Sequence, residues 1–335
     1  MTIKPSIKIE RARTSTLAKL NLAYKIEYLL DLCFLAGPGV AILALALSVY
    51  TFWAGNPLLS ILALVVMLGA LVVSYGRYIA PWQLRTTHLK IKNATVDAVS
   101  TPAQPVRFVF FSDLHLARIK KQDWVQRVVD AANAQKPDVV LIGGDFAGIM
   151  GESRFEDVLA PLKQLHAPLG IYAILGNHDN GMPGIDHTPE LEAALSRMGV
   201  QLLRNDCVQL NPQVQLLSAD ELWSGQSDVD KAFADAHALA PQNAPIRRVF
   251  LGHNPDLMTH MQPNYKADLF IFGHTHHGQI YIPVLPALAV PIESHYYRGT
   301  FHTLNGMVYV SSGAGEGNSP IRLGTWPEIV TFEVC

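Results

Sequence analysis

The chain has 335 residues, of which 49% are hydrophobic and only 16% charged, a length that suits one large domain or two ordinary ones. A formal net charge of −2 gives no hint of a nucleic-acid binder, which would normally show a basic face. The three cysteines, Cys33, Cys207 and Cys335, are too far apart for a disulfide framework or a zinc ribbon.

The apolar excess sits at the start of the chain. No charged residue occurs in 32–76, a run of 45 residues; a bilayer crossing needs about 20 apolar residues. The turn signal Ala54-Gly55-Asn56-Pro57 in its middle predicts a transmembrane hairpin with spans near 32–53 and 58–76. Gly37-Pro38-Gly39 predicts a kink or a later start in the first span. Tyr24, Tyr28, Tyr75, Tyr78 and Trp82 fall at one interface, Tyr50 and Trp53 at the other. Lys4, Lys8, Arg11, Arg13, Lys19 and Lys25 precede the hairpin, and Arg77, Arg85, Lys90 and Lys92 follow it. With no charge in the turn, the positive-inside rule places both ends in the cytoplasm. The expectation is a basic segment and hairpin over 1–82 in the inner (plasma) membrane. A cleaved signal peptide is disfavoured, because the apolar part starts late and Ser-Tyr-Gly is a poor cleavage site. A buried hairpin of a soluble core is disfavoured by two uninterrupted apolar runs.

Residues 83–104 read as a connector with an early strand around 88–91, and 105–335 as the following domain. Short β-branched and aromatic runs, each ending in a polar residue, punctuate this domain. Run 106–111 leads to Asp113, 139–143 to Asp145, 171–175 to Asn177, 248–251 to His253, and 269–272 to His274. Helical patterns at 121–134 and 155–165 lie between the first three, which predicts an α/β fold. Runs 307–311 and 328–334 lack long helices between them and read as a second, more antiparallel sheet. Polar residues just past strand ends lie where α/β sheets place their sites.

The motifs are Ser112-Asp113-Leu114-His115, Gly143-Gly144-Asp145, Gly176-Asn177-His178-Asp179, Gly252-His253-Asn254 and Gly273-His274-Thr275-His276. Imidazole and carboxylate without thiolate suit manganese, iron or zinc. A single aspartate at a sheet edge can bridge two ions. Ions ~3.5–4 Å apart clamp a phosphoryl group and make a nucleophile of water at neutral pH. Glycines beside the ligands allow sharp turns and close approach. Each piece alone is common; together they occur in order, each after a strand-like run.

On these motifs the chain resembles the calcineurin-like metallophosphoesterase superfamily, and specifically its membrane-tethered phosphodiesterase branch. The later resemblance lies in 253–256, 273–279, 320–322 and 327–329. It implies an α/β/β/α sandwich preceded by the two-helix hairpin. It implies one divalent ion held by Asp113, His115, Asp145 and His276, and a second by Asp145, Asn177, His253 and His274. By this resemblance manganese is the first choice, and zinc or iron suits the donors equally. His178 would contact the phosphate or protonate the leaving oxygen, and Asp179 would orient it. The second aspartate of the family's Gly-Asp-x-x-Asp is Gly148 here, and His277 replaces a usual glycine and reads as idle. The implied reaction is hydrolysis of a phosphodiester or pyrophosphate, and a membrane lipid precursor such as UDP-2,3-diacylglucosamine is among the substrates the resemblance offers. A phosphodiesterase for a soluble nucleotide and a non-catalytic membrane-anchored metal-binding scaffold or sensor stand as alternatives. Arg298, Arg322, Lys120 and Lys121 read as solvated surface charge rather than a grip on a second phosphate.

Overall fold

The computed structural model describes residues 32–91, 105–116, 120–148, 154–182, 184–240, 246–282, 290–317 and 319–334. The N-terminal basic residues, Tyr24, Tyr28, most of the connector and Cys335 lie outside them. The chain forms two compact units, Met1–Ile79 with Asn318–Ile321, and Ala80–Gly317 with Arg322–Cys335.

The first unit contains helices α1 (Gly37–Trp53) and α2 (Pro57–Tyr78). Helix α1 begins at the Gly-Pro-Gly signal. Pro57 opens α2, where a missing N–H costs nothing, and the Asn56 side chain accepts from Leu59 N at 3.2 Å. Small residues face the partner helix: Ala41, Ala44, Ser48, Ser60 and Ala63 are buried. The Ser48 and Ser60 hydroxyls lie 2.9 Å apart. Large side chains point outward, among them Ile42, Leu43, Trp53 and Leu58. Small groups inside and large apolar groups outside is the reverse of a water-soluble hairpin and is the pattern that lipid favours. Among the described residues, one helix, Pro57–Trp82 with 26 residues, is long and apolar enough to cross a membrane. The 17 residues of α1 fall short of that length.

The second unit has two six-stranded sheets. The first runs β1 (Arg85–Ile91), β12 (Glu328–Val334), β2 (Val106–Phe111), β3 (Val139–Ile142), β4 (Ile171–Ala173) and β5 (Gln201–Leu202). The second runs β10 (Gly299–His302), β11 (Met307–Val310), β9 (Leu269–Phe272), β8 (Arg247–Leu251), β7 (Val214–Ser218) and β6 (Cys207–Asn211). Period-two alternation gives each strand two apolar faces. In β2, Phe108 and Phe110 join Leu141, Leu216, Val249 and Ile271 in a core between the sheets. Val109 and Phe111 face the other way, onto Trp124 and Val128 of α3 (Gln122–Ala134) and Leu191 of α5 (Thr188–Arg197). Beyond the second sheet, Phe250, Phe270 and Phe272 pack on Phe233 of α6 (Val229–Leu239). The unit is a mixed α/β fold with two sheets, each covered by helix.

Three expectations need correction. The 155–165 pattern is not one helix: α4 (Phe155–Val158) gives way to a 3₁₀ turn at Ala160–Gln164. Pro161 removes a helix hydrogen bond and crowds the preceding turn. The centre of the second sheet is parallel, with β11, β9, β8 and β7 aligned and only the edge strands β10 and β6 antiparallel. The connection from β7 to β8 carries α6, a crossover helix absent from the sequence reading. Strand β12 belongs to the first sheet, parallel to β1 and antiparallel to β2.

Candidate metal centre

Strands β2, β3 and β4 are parallel neighbours in one sheet, and β8 and β9 in the other. The residues just past their C-terminal ends are Asp113 and His115, Asp145, Asn177 to Asp179, His253, and His274 and His276. The fold therefore delivers every candidate side chain from a strand end, the usual place for sites in α/β sheets.

The local backbone is unusual. Asp113, His115, Asp145, His274 and His276 have φ of 55°, 43°, 53°, 69° and 50°. Left-handed backbone is disfavoured for residues with a Cβ and gathers at functional sites. Five of the nine such non-glycine residues among those described are candidate ligands, so the strain is concentrated here. Two glycines let the loops close. A Cβ on Gly176 would overlap Asp145 Oδ1, and one on Gly273 would overlap Asp113 Oδ2.

Side chains converge in two groups that share one carboxylate. Asp145 Oδ2 lies 3.5 Å from His115 Nε2 and 3.3 Å from His253 Nε2. On the first side, His276 Nε2 is 3.0 Å from His115 Nε2 and 3.7 Å from Asp113 Oδ1. On the second, His253 Nε2 is 3.1 Å from Asn177 Oδ1 and 3.3 Å from His274 Nδ1. Asp113, His115 and His276 form one group able to hold an ion, and Asp145, His253 and His274 another. A third joins His115, Asp145 and the His178 ring.

The surroundings orient these groups. His253 Nδ1 donates to Gly143 O at 2.7 Å, which fixes the tautomer and leaves Nε2 facing the cluster. Asn177 Nδ2 donates to Met182 O at 2.6 Å, turning Oδ1 inward. Ser112 Oγ donates to Asp113 Oδ2 at 2.5 Å, and His274 N donates to the same carboxylate. His178 N donates to Asp145 Oδ1 at 2.9 Å, and its half-buried ring meets the His115 ring edge-on at 5.1 Å. Asp179 accepts from Ala147 N and Gly176 N, both at 2.9 Å, tying the Asn177 loop to the Asp145 loop.

Burial sets the protonation states. It lowers His115 and His274 to about 3 and holds His276 well below the usual imidazole range. These rings are neutral and ready to ligate. Burial raises Asp113 to about 6 and Asp179 to about 7. Burial also opposes charge on His253, but Asp145 and Asp113 overcome it and lift His253 to about 10. Asp113 and Asp145, at most 1% exposed beside the neutral His115, His274 and His276, draw positive charge into the cluster, as the raised His253 shows. Nitrogen, carboxylate and amide donors around that charge suit manganese, iron or zinc, so the residues fit divalent ions.

His277 turns out of the cluster, donating from Nε2 to Val310 O at 2.7 Å. The surface expectation holds for Lys121, which is exposed, and fails for Lys120 and Arg322, which are 3% and 0% exposed. Lys120 Nζ and Arg322 Nε lie 2.9 and 3.1 Å from Glu316 Oε1. Arg322 also donates to the carbonyls of Ser312, Gly313 and Gly315. They pin the 312–316 loop, whose Ala314 and Gly315 amides donate to the Ser112 and Asp113 carbonyls. Glu316 went unnoticed in the sequence; its only signal is the glycine-rich setting Gly313-Ala314-Gly315-Glu316-Gly317. Arg298 lies over the Tyr281 ring at 3.8 Å.

Comparison with known proteins agrees with this geometry. Residues 106–278, more than half of the chain, match the calcineurin-like phosphoesterase family. The chain is similar to "Uncharacterized metallophosphoesterase YkuE" of Bacillus subtilis, 28% identical over 264 residues, covering 77% of this chain and 88% of the relative. It is similar to "Phosphodiesterase YaeI" of Escherichia coli, 29% identical over 239 residues, covering 69% and 83%. It is also similar to "UDP-2,3-diacylglucosamine pyrophosphatase LpxG" of Chlamydia trachomatis, 26% identical over 309 residues, covering 76% and 90%. The chain therefore belongs to the calcineurin-like phosphoesterase family and is a metal-dependent phosphoric ester hydrolase.

Proposed function

We propose that this enzyme hydrolyses a phosphodiester or pyrophosphate on a membrane-borne amphiphile at the cytoplasmic face of the membrane, with UDP-2,3-diacylglucosamine as the leading candidate. The observation that carries the reading is Asp145 Oδ2 poised between His115 Nε2 and His253 Nε2, at 3.5 and 3.3 Å. One carboxylate shared by two donor groups is what a dinuclear site requires. Asp113, His115, Asp145 and His276 would hold one divalent ion, and Asp145, Asn177, His253 and His274 the other, with manganese proposed. When bound, the ions supply Lewis-acid activation of the phosphoryl group and of water.

The chain's own groups do the rest. Gly143 O and Met182 O aim His253 and Asn177 inward. His178 is fixed through its main-chain N–H and stands beside His115. From there it would contact the phosphate or pass a proton to the leaving oxygen. Asp179 supports it by fastening both flanking loops. This pairing of a proton donor with the donor cluster supports catalysis over a purely binding scaffold. The similarity to LpxG and the outward-facing apolar surface of α1 and α2 support a lipid-linked substrate and a two-span anchor. The positive-inside pattern supports the cytoplasmic orientation.

Two variants test the site in detergent-purified protein with bis(4-nitrophenyl) phosphate, metal being counted by mass spectrometry. Asp145→Ala should lose hydrolysis and bound metal together. His178→Ala should retain its metal while kcat falls about 10²-fold or more. Full turnover by Asp145→Ala would overturn the dinuclear assignment. Hydrolysis of a cyclic nucleotide in preference to UDP-2,3-diacylglucosamine would overturn the lipid reading alone.

A further inference from the structure

Exposed apolar side chains stand on loops that adjoin the metal centre. Beyond Ile79, the large apolar side chains most exposed among the described residues are Met182 (41%), Ile185 (67%), Trp223 (39%), Leu239, Ile282 and Leu304. The first three belong to two loops that touch candidate ligands of the second ion. The Trp223 ring meets the His274 ring edge-to-face at 4.8 Å. Met182 is tied to Asn177 twice, through Met182 N to Asn177 O at 2.7 Å and Asn177 Nδ2 to Met182 O at 2.6 Å. Asn177, His253 and His274 form a continuous chain of contacts at 3.1 and 3.3 Å. Trp223 and Met182 therefore flank the same half of the centre.

Hydrogen bonds fix the backbone of both loops. Glu221 is 1% exposed, and its two carboxylate oxygens accept from Trp223 N at 2.9 Å and Ser224 N at 2.6 Å. Burying a carboxylate is costly, and here it fixes the backbone that carries a solvent-exposed indole. Ile185 sits in a turn closed by the Asn180–Asp186 bridge. Exposed apolar residues on hydrogen-bonded loops beside a polar centre are candidates for a binding surface.

We propose that Trp223, Met182 and Ile185 form a rim that takes the hydrocarbon chain attached near the scissile phosphate, making the enzyme selective for acylated or alkylated phosphate esters. This rests on the hydrolase reading above. Trp223 alone could stack on a nucleobase, but Met182 and Ile185 add aliphatic surface that suits a hydrocarbon.

The test compares methyl and dodecyl 4-nitrophenyl phosphate, each as a monomer below its aggregation limit, with the manganese-loaded full chain in one detergent. The wild type should show a KM for the dodecyl ester at least about ten-fold lower, the effect of burying only about two of its methylenes on the rim. Trp223→Ala and Ile185→Ser should each collapse the dodecyl-to-methyl KM ratio toward one, and Trp223→Phe should keep most of it. A wild type without chain-length preference, or a Trp223→Ala variant that retains it, would overturn the rim. Preference for a thymidine 4-nitrophenyl ester, lost in Trp223→Ala, would overturn it too and assign the indole to base stacking. No turnover of any of these esters would sink the hydrolase reading with it.

Discussion

Lys120 shows how a charge that looks like surface in the sequence acts as an interior support. Its ammonium lies 2.9 Å from Glu316 and 3.7 Å from the centre of the Trp124 ring. Burial lowers its pKa from 10.5 to about 8, with Glu316 pulling the other way. The folded state thus releases this proton before the unfolded chain does. Between pH 8 and 10.5 the unfolded chain binds more protons, and the contribution of Lys120 to stability rises with pH. Melting curves of wild type and Lys120→Met should diverge in favour of the wild type from pH 8 to pH 10. A constant gap would show that Lys120 keeps its charge throughout. The candidate ligand types were legible in the sequence, because carboxylate and imidazole chemistry is carried by residue identity. The left-handed backbone at Asp113, Asp145 and His274 was not, because these residues are held by distant segments, through Gly315 N to Asp113 O, His178 N to Asp145 Oδ1 and His274 N to the Asp113 carboxylate.

At the level of elements, α6 decides the direction of half a sheet. Its start is capped by Asp228, whose side chain accepts from Lys231 N at 2.8 Å. Asp228→Ala should destabilise the domain by about 1 kcal/mol. Thermal unfolding should shift down by about 2–4 °C, with metal content unchanged. An unshifted melting temperature would show that packing of Phe233 on Phe250 holds the helix without its cap. The strand runs at 106–111 and 269–272 were legible because alternation and β-branching are local properties. The insertion of β12 beside β2 was not, because its partner lies more than 200 residues away. Nothing local distinguishes an antiparallel edge from a parallel centre.

At the scale of the whole molecule, two kinds of surface coexist in one chain. The unit of α1 and α2 turns leucine, isoleucine and valine outward and serine and alanine inward, whereas the unit of two sheets buries its apolar residues in three layers. Only α2 with its extension to Trp82 meets the length for a full crossing. In cell membranes the full chain should stay in the pellet after alkaline carbonate extraction and leave it only in detergent. Release by carbonate alone would overturn the anchor and leave the catalytic unit as a peripheral enzyme.

Sequence by itself determined the chemistry and its order along the chain, because donor atoms and their glycine neighbours are properties of residue type and spacing. It also determined where charge disappears for 45 residues. Tertiary structure alone decided that Asp145 lies between two histidines from different sheets, that Lys120 and Arg322 are interior, and that the Trp223 ring meets His274. Those facts depend on which distant segments pack together, and the energy that chooses them is spread over layers that no local window contains.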